Sequence, residues 1–217
     1  MTGTLAALSG IYPLADDDPR WRTRPREIVC AALEGGATVI QLRLKHTDDA
    51  EALELARFAS QRAREAGALL VVNDRYDLAD LAGAGGVHLG QDDLAPERVP
   101  PQVRERLVVG LSTHTLEQVR ESRGRPVDYV AFGPVFGTRS KESEFDPRGA
   151  DLLRQAVELA GHPLVAIGGI GASNLADVAK TGAVAAAVIS AIANADDPAE
   201  ETRRLDASFH AAAGSAG

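Results

Sequence analysis

The sequence predicts a closed (β/α)₈ barrel in a single domain, 1–217. Three observations carry that expectation. Strand-like apolar runs alternate with segments of helical periodicity along the whole chain, eight of each. The polar residues that interrupt the pattern fall at or just past strand ends, where barrel sites are built. A doubly wound open sheet is the alternative.

The strands are expected near 10–15, 39–45, 68–74, 86–90, 107–113, 128–135, 163–169 and 184–191. The helices are expected at 24–35, 49–66, 76–83, 96–105, 115–123, 149–160, 173–181 and 198–212. In the first strand Tyr12 is a candidate pocket residue, and Asp16-Asp17-Asp18-Pro19 after it reads as a solvated turn. Trp21 is expected to pack against a helix. Cys30, flanked by Ile28, Val29, Ala31 and Ala32, reads as a buried, inert thiol. The helix at 49–66 carries Ala52, Leu55, Ala56, Ala59 and Ala63 on one face and ends at Gly67. Asp197-Pro198 supplies a cap and a first-turn proline for the last helix, beyond which 210–217 is expected to fray.

The second strand carries the strongest functional signal. Ile40, Leu42 and Leu44 alternate with Gln41, Arg43 and Lys45. A half-exposed strand shows the same alternation, but parallel barrel strands are covered on both faces and should be apolar throughout. A column of one amide and two cations on a covered face is costly unless it meets an anion. Same-side residues stand ~6.6 Å apart, so the column spans ~13 Å, the reach of a diphosphate and an attached ring.

The next strand ends Val71-Val72-Asn73-Asp74-Arg75, and Asp74 reads either as a helix cap or as a ligand. Gly86-Val-His-Leu-Gly-Gln-Asp-Asp93 brings a second carboxylate cluster to the neighbouring strand end. Carboxylates so placed repel unless a cation lies between them, and Mg²⁺ suits one or two carboxylates plus water and phosphate. Zinc held by His88 and His114 is less favoured among so many oxygens, and His88 reads as an interior hydrogen-bonding residue. Phe132–Glu142 supplies glycines, hydroxyls and cations suited to a phosphate. Val165–Ile170 and Val188–Ile192 close the seventh and eighth strands, the usual phosphate position of barrels.

Composition narrows the class of partner. A formal charge of -8 without a basic face excludes nucleic acid and anionic membrane as the main partner and leaves small molecules. One cysteine excludes an intrachain disulfide. No apolar run approaches the ~18 residues of a membrane span, and no secretory signal is evident, so a cytoplasmic location is expected.

Taken in order, QLRLK (41–45), VNDRYDLA (72–79), GVHLGQDDL (86–94), GLSTHT (110–115), DYVAFGPVFGTRSK (128–141), AIGGI (166–170) and VISAI (188–192) resemble the thiamine-phosphate synthase family over nearly the whole chain. The resemblance implies a (β/α)₈ barrel transferase that joins a hydroxymethylpyrimidine diphosphate to a thiazole phosphate, with Mg²⁺ required. It implies that Gln41, Arg43, Lys45, Asn73, Ser112 and Lys141 hold the pyrimidine diphosphate, with Arg43, Lys45, Ser112 and Lys141 acting in catalysis. Asp74 and Asp93 would ligate Mg²⁺, and Thr138, Arg139, Ser140, Gly169, Ile189 and Ser190 would hold the thiazole phosphate. With the metal, Arg43, Lys45 and Lys141 less the two aspartates carry about plus three, near the charge of a diphosphate. Gly137 and Ser140 depart from the family loop, which usually has a proline before its first threonine, where this chain has Gly137, and a second threonine where it has Ser140. The first strand, IYPLADDD, also departs, and no role is carried to it. Two rivals remain: a thiazole tautomerase of the same fold using His114, and a non-catalytic phosphate-binding barrel.

Overall fold

The computed structural model describes residues 5–137 and 148–215. Eight parallel strands close into a barrel: β1 Gly10–Asp16, β2 Val39–Arg43, β3 Leu69–Asn73, β4 Gly86–Leu89, β5 Val108–Thr113, β6 Tyr129–Phe132, β7 Leu164–Ile167 and β8 Ala185–Val188. Each strand pairs with the next, and β1 closes the ring on β8 with Gly10 opposite Ala185. The open-sheet alternative is thereby excluded.

The two-residue period divides every strand between two cores. One face, with Ile11, Ile40, Leu42, Leu70, Val87, Val109 and Val130, packs against the surrounding helices. The other fills the barrel with Leu8, Tyr12, Leu14, Val39, Leu69, Val71, Val108, Tyr129, Ala131, Val165, Ala185 and Ala187. Large Tyr12 and Tyr129 on some strands are matched by alanines on β8, so the interior is packed and no pore runs through it.

Helix starts follow local chemistry. Asp48 accepts from Ala50 N and Glu51 N to open Asp49–Glu65, and Asp197 accepts from Ala199 N and Glu200 N to open Pro198–Gly214. Four sequence expectations need correction. The helix expected at 96–105 is a 3₁₀ turn, Pro96–Arg98, and a short helix, Pro101–Arg104. Pro100 and Pro101 lack the N–H groups that would join them and hold Val99 and Pro100 extended. A short helix, Ser190–Ala193, begins where the eighth strand was expected to continue. The terminal helix runs on to Gly214, two residues past the expected end at 212, with Leu205 and Phe209 buried along it. Cys30 is only half-buried.

Candidate active site

The inward residues nearest the C-terminal end of the barrel are polar, while those deeper are apolar. Along β2 the column grades outward, with Gln41 buried, Arg43 half-buried and Lys45, just past the strand, exposed. Around the ring stand Asp16 on β1, Asn73 on β3, His88 on β4 and Ser112 on β5. In register, Asp16 lies beside Arg43 and Asn73 beside His88.

Asp16 is the residue sequence reasoning missed. Its side chain is fully buried and accepts from Arg43 Nη1 at 2.5 Å, Trp21 Nε1 at 2.9 Å and Asp18 N at 2.9 Å. The solvated-turn reading of Asp16–Asp18 therefore fails for Asp16, and Trp21 packs at the mouth through that bond. Period-two alternation was the available signal, since Asp16 continues the inward series of Tyr12 and Leu14. Its charge also lowers the plus-three balance of the mouth by one.

Asp17 does different work. It accepts from the backbone N–H groups of Lys45, His46 and Thr47 and from Thr47 Oγ1, each at 2.8 Å, and so shapes the turn that aims Lys45. Burial acts to raise its pKa, but these hydrogen bonds outweigh it and hold the carboxyl below the usual range.

Lys45 Nζ forms an ion pair with Asp74. Asp74 does not cap the following helix, whose N-cap is Arg75. Instead it sits in the left-handed region at φ 63°, with its N–H on His88 O at 2.7 Å. Non-glycine residues seldom adopt that conformation. Asp93, half-buried, accepts from Gly90 N at 2.6 Å. Its pKa is raised, first by burial and next by a hydrogen bond to Asp74, whose charge adds to the shift. The predicted carboxylate pair is therefore assembled, and its members repel. Among the described residues no three His, Cys, Asp or Glu side chains gather, so the protein offers a cation two carboxylates and no closed cage. An oxygen set of that size fits Mg²⁺, which keeps water and phosphate as its remaining ligands.

Both nitrogens of His88 face protein partners, Tyr129 Oη and Ser112 Oγ, each at 2.9 Å. This matches the interior role expected of it. Tyr12 is buried beneath Gln41, whose Nε2 lies 3.1 Å from its hydroxyl. His114 donates from Nδ1 to Gly133 O at 2.7 Å.

Gly168 and Gly169 have φ of 102° and 63°, and a Cβ on Gly169 would lie 2.4 Å from Gly137 O. Only glycine satisfies both the conformation and the approach. Val135 N and Phe136 N bond Ile167 O and Gly168 O, while Arg148 N and Gly149 N bond Pro134 O and Val135 O. Both flanks of 138–147 are thus stitched to the ends of β6 and β7. Thr138, Arg139, Ser140 and Lys141 lie outside the described residues. Gly169 and Ser190 are exposed and Ile189 half-buried at the neighbouring ends of β7 and β8, where Gly171 approaches Ala191.

A closed barrel with cations and carboxylates gathered at its mouth has the build of a (β/α)₈-barrel enzyme. The chain belongs to the thiamine monophosphate synthase family, whose sequence profile matches residues 11–192. It is 41% identical over 210 residues to a thiamine-phosphate synthase of Anaeromyxobacter dehalogenans, covering 96% of this chain and 91% of that protein. It is 40% identical over 181 residues to one of Pelotomaculum thermopropionicum, covering 83% of each. The structure of a thiamine phosphate pyrophosphorylase from Pyrococcus furiosus superposes with a TM-score of 0.86 at 36% identity, over 96% of this chain and 98% of that one. The enzyme is thus a transferase of thiamine biosynthesis. No helix among the described residues is long and apolar enough to cross a membrane.

Proposed function

We propose that this chain couples 4-amino-2-methyl-5-hydroxymethylpyrimidine diphosphate to 4-methyl-5-(2-phosphoethyl)thiazole or its carboxylate, giving thiamine phosphate and diphosphate. The observation that carries the proposal is the inward column Gln41–Arg43–Lys45, which rises beside the Asp74–Asp93 pair. It presents an amide in the dry interior and cations at the mouth, the polarity of a ring bearing a diphosphate.

In this reading Gln41 holds the ring, while Arg43, Lys45, Asn73, Ser112 and Lys141 hold the diphosphate. Asp74 and Asp93 would hold Mg²⁺, which when bound supplies positive charge beside the leaving group. The reaction is a dissociative substitution. The methylene C–O bond breaks, its electron pair leaves with the diphosphate, and the 4-amino group stabilises the transient pyrimidinylmethyl cation. The thiazole nitrogen then forms the new C–N bond, and a carboxylated thiazole also loses CO₂. Asp16 keeps Arg43 aimed inward, and Asp17 fixes the turn carrying Lys45. Gly169, Ile189 and Ser190, with Thr138, Arg139 and Ser140, hold the thiazole phosphate. No protein nucleophile takes part, so fixed electrostatics and positioning supply the acceleration.

The test mixes purified protein with both substrates, with and without Mg²⁺, and follows both products. Metal-dependent release of thiamine phosphate and diphosphate in equal amounts is expected. Binding of the thiazole without coupling would reject the proposal and turn attention to a tautomerase using His114.

A further inference from the structure

A chain of hydrogen bonds, buried except at its half-buried Ser112 end, crosses the barrel beneath the mouth. Gln41 Nε2 lies 3.1 Å from Tyr12 Oη, which lies 3.1 Å from Tyr129 Oη. Tyr129 Oη lies 2.9 Å from His88 Nδ1, and His88 Nε2 lies 2.9 Å from Ser112 Oγ. The chain exists because β5 carries Gly110 where Tyr129 and His88 meet. A Cβ there would fall 2.1 Å from Tyr129 Cζ and 2.5 Å from His88 Nδ1. The two ends are residues assigned above to different parts of one substrate, Gln41 to the ring and Ser112 to the diphosphate.

We propose that Tyr12, Tyr129 and His88 are positioning residues forming a proton-ordered relay, which fixes the edge Gln41 presents to the pyrimidine according to how Ser112 meets the diphosphate. The inference rests on the substrate reading of the preceding subsection.

Each phenol donates one proton, and a neutral imidazole donates from one nitrogen while accepting at the other. Both tyrosines are shut from solvent, and burial raises both pKa values, so each keeps its proton. A phosphate oxygen only accepts, so Ser112 must give its proton outward and accept from His88 Nε2–H. His88 Nδ1 then accepts from Tyr129, Tyr129 accepts from Tyr12, and Tyr12 accepts from Gln41 Nε2–H. Gln41 Oε1 is left for the ligand, as an acceptor for the 4-amino N–H. The opposite order would point a Ser112 lone pair at the diphosphate and reverse the amide. In so dry a setting every link constrains the next. Selectivity for an amino over an oxo ring is therefore set partly by residues that do not touch the ring's substituent.

The first test is direct and uses the unaltered protein. With ¹⁵N-histidine labelling and pyrimidine diphosphate bound, ring-nitrogen shifts report the tautomer of each of the five histidines. The His88 signal is identified by its loss in His88→Asn. Nε2–H is expected, and Nδ1–H would overturn the relay. The second compares dissociation constants for the 4-amino diphosphate and its 4-oxo analogue. Tyr129→Phe should lower the ratio of the 4-oxo constant to the 4-amino constant about tenfold, the scale of one hydrogen bond. Tyr12→Phe should do the same if Tyr129→Phe folds poorly. An unchanged ratio in a folded variant would overturn the relay while leaving the proposed reaction standing. Arg43→Ala should weaken both ligands and keep the ratio, and a ratio that collapsed there too would also overturn it. Failure of the unaltered protein to bind the 4-amino diphosphate would remove both readings together.

Discussion

Replacing Asp16 by asparagine tests whether Arg43 is a poised cation or only a nearby one. In the native site the Asp16 carboxylate has no exposed side-chain surface, and Arg43 retains 17% of its own. In Asp16→Asn the side-chain carbonyl can still accept from Trp21 Nε1 and Asp18 N, but the amide NH₂ would set a donor against the donor Arg43 Nη1. A hydrogen bond between charged groups contributes about 1.5–3 kcal/mol. Breaking a fully buried pair by removing one partner costs about 3–5 kcal/mol. Water reaches Arg43 from the mouth, which places the loss near the lower range, at about 2–3 kcal/mol of folding stability by urea denaturation. In steady-state kinetics Asp16→Asn should raise KM for the pyrimidine diphosphate about tenfold, or roughly 1.4 kcal/mol. The double variant with Arg43→Ala should be no less active than Arg43→Ala alone. Charge alone argues the opposite, since deleting a carboxylate beside a cation should tighten an anion. A lower KM in Asp16→Asn, or coupling below about 0.5 kcal/mol in the cycle, would refute the positioning role.

Three other outcomes follow from the same geometry. Chelation of divalent metal should abolish coupling and added Mg²⁺ restore it, while Asp93→Asn should raise the Mg²⁺ needed for half activity by about tenfold through loss of one carboxylate ligand. An unchanged metal requirement would remove Asp93 from that role. Gly110→Ala forces a methyl into Tyr129 and His88, and overpacking of about 2–3 kcal/mol should lower Tm by about 5–10 °C in a thermal melt. An unaltered Tm would show that the β5–β6 contact yields easily. Asp17→Ala frees three backbone N–H groups and should cost about 2 kcal/mol near pH 7. Because Asp17 is more acidic folded than unfolded, its contribution is full above the unfolded value of about 3.9 and lost as pH falls through the lower folded value. Urea melts at pH 7 and pH 3 should show the penalty shrinking at the acid end. A penalty constant with pH would assign it to packing.

Much of this molecule was legible as a one-dimensional pattern. Alternating periods of 2 and 3.6 announced the barrel, because those periods decide which side chains share a face, and Asp48, Asp197 and Pro198 marked helix starts through local chemistry. The column 41–45 was legible because period two places Gln41, Arg43 and Lys45 on one side. What was lost lay in contacts between residues far apart in the chain. Asp16 looked like turn chemistry, because only the β1–β2 register brings it to Arg43 and only the loop to Trp21 closes over it. Asp74 read equally as a cap or a ligand, and only its left-handed backbone and the approach of β4 turn it toward Lys45 and Asp93. Residue order was enough for the barrel, for the mouth at which polar residues gather and for the chemical class of what they can grip. Which of those residues hold one another was settled only by packing. Closure of the barrel sets Gln41, Tyr12, Tyr129, His88 and Ser112, from five different strands, within hydrogen-bond reach, and no local period encodes a distance across the ring.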